Sequence, residues 1–199
     1  MNFLAHFQLA APDKSLMFGN YIADFITNKQ LIDFSVPVRQ GIMLHRAIDT
    51  FTDNHEATKS AIQVIRPYYQ KYSPVLCDIF FDYFLASNWD KFEVTPLEVF
   101  IQSCYELVRE NYPTTIVPLN SLMERMLADN FLHNSISYTG LQRTAILLQR
   151  RLKFPLDLTN AEEVVIKHHQ ILNDNFLLLY NDLSQFANQW ILSNVELSQ

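Results

Sequence analysis

The segment Gly41-Ile42-Met43-Leu44-His45-Arg46-Ala47-Ile48-Asp49-Thr50-Phe51-Thr52-Asp53 carries one imidazole and two carboxylates at four-residue intervals. Residues four apart lie along one stripe of an α-helix, so His45, Asp49 and Asp53 would share a face. That donor set is half of a metal site. It suits Mn2+, Fe2+ or Zn2+ better than Ca2+, because imidazole is a poor calcium ligand. Asp78 and Asp82 repeat the interval among Ile79, Phe80, Phe81, Tyr83 and Phe84. Carboxylates amid so many large apolar side chains need a metal, an arginine or a histidine if they face the core. Asn20 and Asp24 share the spacing, and His6 lies on an early, mostly apolar segment.

Each element has a plain alternative. Acids four apart occur on many solvated helices, His45 and Asp49 alone suit a hydrogen-bonded surface pair, and a lone His6 suits a satisfied core position. The combination is what points to a shared metal centre, with His6 and Asp24 as completions. Such a centre lowers the pKa of bound water and holds a phosphoryl oxygen, with a neighbouring carboxylate or histidine orienting that water. Phosphoester hydrolysis is the first reading and a non-haem iron oxygenase another. No serine or cysteine sits in a recognisable nucleophile motif. Arg46 follows His45 and points about 100° around the helix, as a surface charge or an anion contact at the site's edge. His168-His169 diverge on a helix, and His55 and His133 have no partner legible in sequence.

Helices must position these groups. Apolar residues make up 49% of the 199 residues and charged ones 18%, which excludes a wholly disordered chain. The three glycines, Gly19, Gly41 and Gly140, lie too far apart for a glycine-rich phosphate loop. The eight prolines fall as breaks or first-turn residues. Periodicity and start signals predict helices over Ser15–Thr27, from Val38 to about Ala57, Ser73 to about Asn88, Thr95 to about Tyr112, Leu119–Leu132 and Leu141–Arg151. A long stretch from Thr159 reaches towards Leu192, broken near Asn173–Asn175. Ser35, Thr95 and Thr159 are the expected caps. No run alternates with period two. The fold class predicted is all-α, a single-domain multi-helix bundle of seven to nine helices over 1–199, with a frayed tail at about 193–199.

Net charge is -6, which argues against broad nucleic-acid binding. No apolar run approaches the roughly 20 residues of a membrane span, and the first residues lack a basic leader. Cys77 and Cys104 sit among apolar neighbours and read as free buried thiols, which favours a reducing, cytoplasmic setting. Arg143, Arg150, Arg151 and Lys153 cluster with no acid between them. They are either the solvated end of a helix or a face for an acidic partner.

Four blocks together resemble the bacterial acyl carrier protein phosphodiesterase family. They are Met1-Asn2-Phe3-Leu4-Ala5-His6, Gly19-Asn20-Tyr21-Ile22-Ala23-Asp24-Phe25, His45 to Asp53, and Asp78-Ile79-Phe80-Phe81-Asp82-Tyr83-Phe84-Leu85. Their order and spacing extend the resemblance over nearly the whole chain. It implies hydrolysis of the phosphodiester that links 4'-phosphopantetheine to holo-acyl carrier protein, with manganese as cofactor. It also implies a distant relation to the all-helical HD-type metal phosphohydrolases, although His45 is followed by Arg46 and its matching carboxylate would be Asp49. By the resemblance, His6, His45, Asp49 and Asp78 are the metal ligands. Asp24, Asp53 and Asp82 are catalytic, orienting or alternate ligands, and Arg46 holds the phosphate. Arg143, Arg150, Arg151 and Lys153 become the surface for the acidic carrier protein. The rival readings are a metal phosphohydrolase acting on a nucleotide and a non-enzymatic helical binding module.

Overall fold

A computed structural model describes residues 2–111, 117–150, 152–153 and 156–195. Helices α1 (Phe3–Ala10) and α2 (Lys14–Ile22) are followed by 3-10 turns at Ala23–Phe25 and Asn28–Asp33. Then come α3 (Val36–Asn54), α4 (Glu56–Tyr69), α5 (Ser73–Ser87), α6 (Leu97–Glu110) and α7 (Val117–Ala128). The chain continues through α8 (Tyr138–Gln149), α9 (Ala161–Lys167) and α10 (His169–Val195). The described residues are all-α and contain no strand, which agrees with the fold class read from sequence.

Helix α5 is apolar almost all round, and such a helix must be enclosed. Leu76, Cys77, Ile79, Phe80, Phe81, Tyr83, Phe84 and Leu85 are all buried, and α1, α4, α8 and α10 pack against the helix. Phe176 of α10 stacks on Phe84 and tilts against Phe81. Helix α3 is amphipathic, burying Gly41, Ile42, Leu44, His45, Ile48 and Thr52. It lies along α2 at unusually short range. A Cβ on Gly41 would come within 2.3 Å of the Leu16 carbonyl oxygen and 2.9 Å of the Gly19 Cα, so only glycine permits this approach.

Several local expectations are corrected. The described residues hold ten α-helices rather than seven to nine, since α1 and most of α4 lie where no helix is predicted from sequence. Helix α3 ends at Asn54, where the His55 imidazole accepts from the Ala57 N–H and starts α4. The last break falls at His168, between α9 and α10, rather than at Asn173–Asn175. Ser35 makes no side-chain cap. Thr95 does not cap either, and its carbonyl instead accepts from Trp89 Nε1 at 2.7 Å. The Thr159 hydroxyl turns back to Asp157 at 2.6 Å, so no capping box forms there. Local competition of this kind is common for short polar side chains. Helix α10 continues through Val195, and the rest of the predicted frayed tail lies outside the described residues. Cys77 and Cys104 are free and buried, and burial pushes both thiols upward in pKa. No described helix is long and apolar enough to cross a membrane.

Candidate metal centre

Helix α1 presents His6 from a nearly all-buried segment, and α3 presents His45 and Asp49 one turn apart. His6 and His45 are 2% and 4% exposed. Their Nε2 atoms lie 3.2 Å from Asp49 Oδ1 and 3.1 Å from Asp49 Oδ2. One donor atom from each of the three residues falls within 4.8 Å of the others.

Asn20 aims both rings. Its side-chain Oδ1 accepts from His6 Nδ1 at 2.7 Å, and its backbone carbonyl accepts from His45 Nδ1 at 2.8 Å. With each Nδ1 donating, each Nε2 is left facing the same point. An oxygen acceptor on the remote ring nitrogen is the usual way a metal-ligating histidine is oriented. Asn20 reaches both rings because α2 and α3 approach so closely at Gly19 and Gly41. In the sequence Asn20 stands out only by its spacing to Asp24. The signal available was a Gly-Asn pair on one helix and a second glycine four residues before the histidine on the next.

Asp24 enters from the 3-10 turn that follows α2, placing Oδ1 3.1 Å from His45 Nε2. It is 57% exposed and Asp49 39%, so the cluster has two buried nitrogens beneath two carboxylates open to solvent. Burial lowers the His45 pKa, but hydrogen bonds to Asp24 and Asp49 outweigh it and raise the group to about 9. Burial and the nearby His45 charge lower His6 to about 4. Asp49 is held below the usual carboxylate range by the two histidines, against the effect of burial. His6 Nε2 is a fully buried nitrogen with no hydrogen-bond partner, although Asp49 Oδ1 lies 3.2 Å away. Such an orphan is costly unless a ligand completes it. A divalent cation held by His6, His45 and Asp49 fits both the orphaned nitrogen and the mixed imidazole-carboxylate donor set.

The remaining candidates divide. Asp78 is half-buried and borders a cleft that also includes Asp24. Its pKa is raised by burial, with the charges of Asp49 and Asp53 adding to the effect. Asp53 is exposed one turn beyond Asp49 on α3. Asp82 is 1% exposed and serves α1, its two oxygens accepting from the Leu4 and Ala5 N–H groups at 2.9 and 3.4 Å. Asn2 makes no side-chain cap there, so this carboxylate from α5 satisfies free amides at the start of α1, within two residues of His6. The Arg46 guanidinium lies 3.8 Å from Met43 Sδ and lines a groove against Trp190 of α10. Arg143, exposed on α8, and Arg150, exposed just past its end, border a groove of about 400 Å3 with Gln142 and Ile146. Lys153 is exposed just beyond α8, and Arg151 lies outside the described residues.

A family model described as acyl carrier protein phosphodiesterase matches residues 1–183. An acyl carrier protein phosphodiesterase of Yersinia pestis is 32% identical over 194 residues, covering 94% of this chain and 97% of that protein. One from Yersinia enterocolitica is 30% identical over 185 residues, covering 90% and 94%. A third, from Klebsiella pneumoniae, is 26% identical over 188 residues, covering 94% and 97%. No solved structure matches.

Proposed function

Because the chain belongs to the acyl carrier protein phosphodiesterase family, we propose that its His6-His45-Asp49 centre hydrolyses the phosphodiester between 4'-phosphopantetheine and the serine of holo-acyl carrier protein. The observation that carries this is the convergence of two buried Nε2 atoms on one carboxylate, each ring held at Nδ1 by Asn20. A divalent cation bound there supplies polarisation of a phosphoryl oxygen and a lowered pKa for water. We take that cation to be manganese, which suits a site of two imidazoles and carboxylate oxygens.

The protein's own groups account for the rest. Asn20 keeps the imidazoles in the tautomer that leaves each Nε2 free. Asp24, an exposed carboxylate whose Oδ1 lies 3.1 Å from His45 Nε2 in the metal-free protein, accepts the proton of an attacking water. The new bond joins water oxygen to phosphorus, and the phosphorus–serine oxygen bond breaks. The serine oxygen takes a proton, and the phosphate remains on pantetheine. Asp53, exposed one turn beyond Asp49 on α3, adds negative charge on the same helix, which favours a cation there. Arg143 and Arg150, with Lys153 nearby, offer a positive face to the acidic carrier on a chain whose net charge is -6. The free buried thiols Cys77 and Cys104 support a reducing compartment, the cytoplasm.

The test is to treat holo-acyl carrier protein with metal-free protein, with and without Mn2+, and read the carrier mass. The expected result is loss of the phosphopantetheinyl mass only when metal is present. An unchanged carrier across several divalent metals, with folded protein, would sink the reading.

A further inference from the structure

A cleft of about 340 Å3 runs from Asp24 and Asp78, beside the metal centre, to the Thr144, Leu147 and Leu148 face of α8. Resting on the phosphodiesterase reading above, we propose that this cleft holds the pantetheine arm of the carrier's prosthetic group, while the carrier protein itself stays outside on the basic edge of α8.

Three observations support the assignment. First, the cleft and the centre share a side chain, since Asp24 borders the cleft and lies 3.1 Å from His45 Nε2. A phosphorus atom near the histidines therefore has its substituents at the cleft mouth. Second, the walls suit a neutral arm of branched alkyl and amide groups. Phe25, Met126 and Phe131 supply apolar surface, and Asn134 and Thr144 supply amide and hydroxyl groups. Among the described residues no lysine or arginine lines the cleft, whereas Asp24, Asp78 and Asp129 border it, so the described lining suits an uncharged arm better than an anion. The volume is at the low end of the roughly 300–1,000 Å3 usual for ligand sites. Third, Asp129 and Leu147 border both this cleft and the adjoining groove that carries Arg143 and Arg150. The positive edge is thus continuous with the cleft but outside it, where an acidic carrier would sit. Gly140 holds the α8 wall in place, because a Cβ there would come within 2.5 Å of the Asn134 carbonyl oxygen.

Pantetheine, which lacks the phosphate, probes the cleft without requiring metal or turnover. Calorimetric titration should show binding to the wild-type protein. Val75→Trp and Thr144→Trp fill the cleft from α5 and α8, and each should weaken pantetheine binding at least about tenfold while leaving Mn2+ affinity unchanged. Intact metal affinity shows that the variants are folded. Absence of pantetheine binding to the wild type, or equal binding by both variants, would overturn the assignment. Pantetheine bound and blocked as described, with no release from holo-carrier protein, would reject the phosphodiesterase reading and leave the cleft as a pantetheine site.

Discussion

The imidazoles of His6 and His45 stack face to face, with ring centroids 3.9 Å apart and planes 17° from parallel. Two imidazolium rings at that separation would repel strongly, so the pair resolves into one neutral and one charged member. Burial makes His6 the neutral one, and the carboxylates of Asp24 and Asp49 make His45 the charged one. The centre therefore stores a single proton where a cation belongs.

Metal uptake must displace that proton, because a ligating nitrogen has to be free of it. With His45 at about 9, binding of Mn2+ at pH 7.5 should release about one proton per site. Calorimetry in buffers of different ionisation enthalpy measures the number directly. Zero release would show that His45 is neutral in the metal-free protein, or is no ligand.

Asn20 is the hinge of the arrangement, since both Nδ1 atoms depend on it. Asn20→Ala removes the His6 acceptor but keeps the backbone carbonyl for His45. Affinity for Mn2+ should drop roughly 10- to 100-fold, as for other lost partners of ligating histidines. Asn20→Asp keeps an oxygen towards His6 and should bind more tightly than Asn20→Ala. Equal affinities in all three proteins would reduce Asn20 to a packing residue.

Asp82 makes stability depend on pH. Burial raises its pKa from the ordinary 3.8 to about 7, although two backbone amides pull the other way. Between those values the folded protein keeps a proton that the unfolded chain has released. The contribution is thus full below pH 3.8 and is lost as pH rises through about 7. Urea denaturation of wild type and Asp82→Asn should show the wild-type advantage shrinking by a few kcal/mol, roughly, across that window. A difference that stays constant with pH would contradict this account.

Charge reversal on α8 separates docking from chemistry. Arg143→Glu with Arg150→Glu should raise KM for holo-acyl carrier protein several-fold at low salt while kcat holds. The deficit should fade as ionic strength rises, because exposed charges are screened within about 10 Å at 0.1 M salt. A fall in kcat with KM unchanged would place the arginines in the reaction rather than in recognition.

The sequence revealed the class of the fold and one stripe of the site, and the limits have physical causes. His45 and Asp49 are neighbours on one helix, so helical period alone brings them together. Asp78 and Asp82 have the same spacing, yet Asp82 turns to the amides at the start of α1, a choice that period cannot disclose. Arg46 follows His45 directly but lies against Met43, on the side facing α10, because adjacent helical residues diverge. The role of Asn20 depends on how closely two helices approach, which Gly19 and Gly41 allow but no periodicity encodes. Helix α1 is not legible from periodicity because its mostly buried residues show no polar face, as befits an enclosed helix.

The carboxylate of Asp82 at the start of α1 sets an order of events for a chain emerging from the ribosome. All three proposed metal ligands have been synthesised by residue 49, but a helix of eight residues such as α1 has little stability of its own. Its first amides wait for a side chain 78 positions further along. The nascent protein therefore displays its ligands well before it can grip a cation, and metal capture becomes a late checkpoint. In refolding experiments, uptake reported by a metal-sensitive dye should trail the burial of Trp89, which lies just past α5.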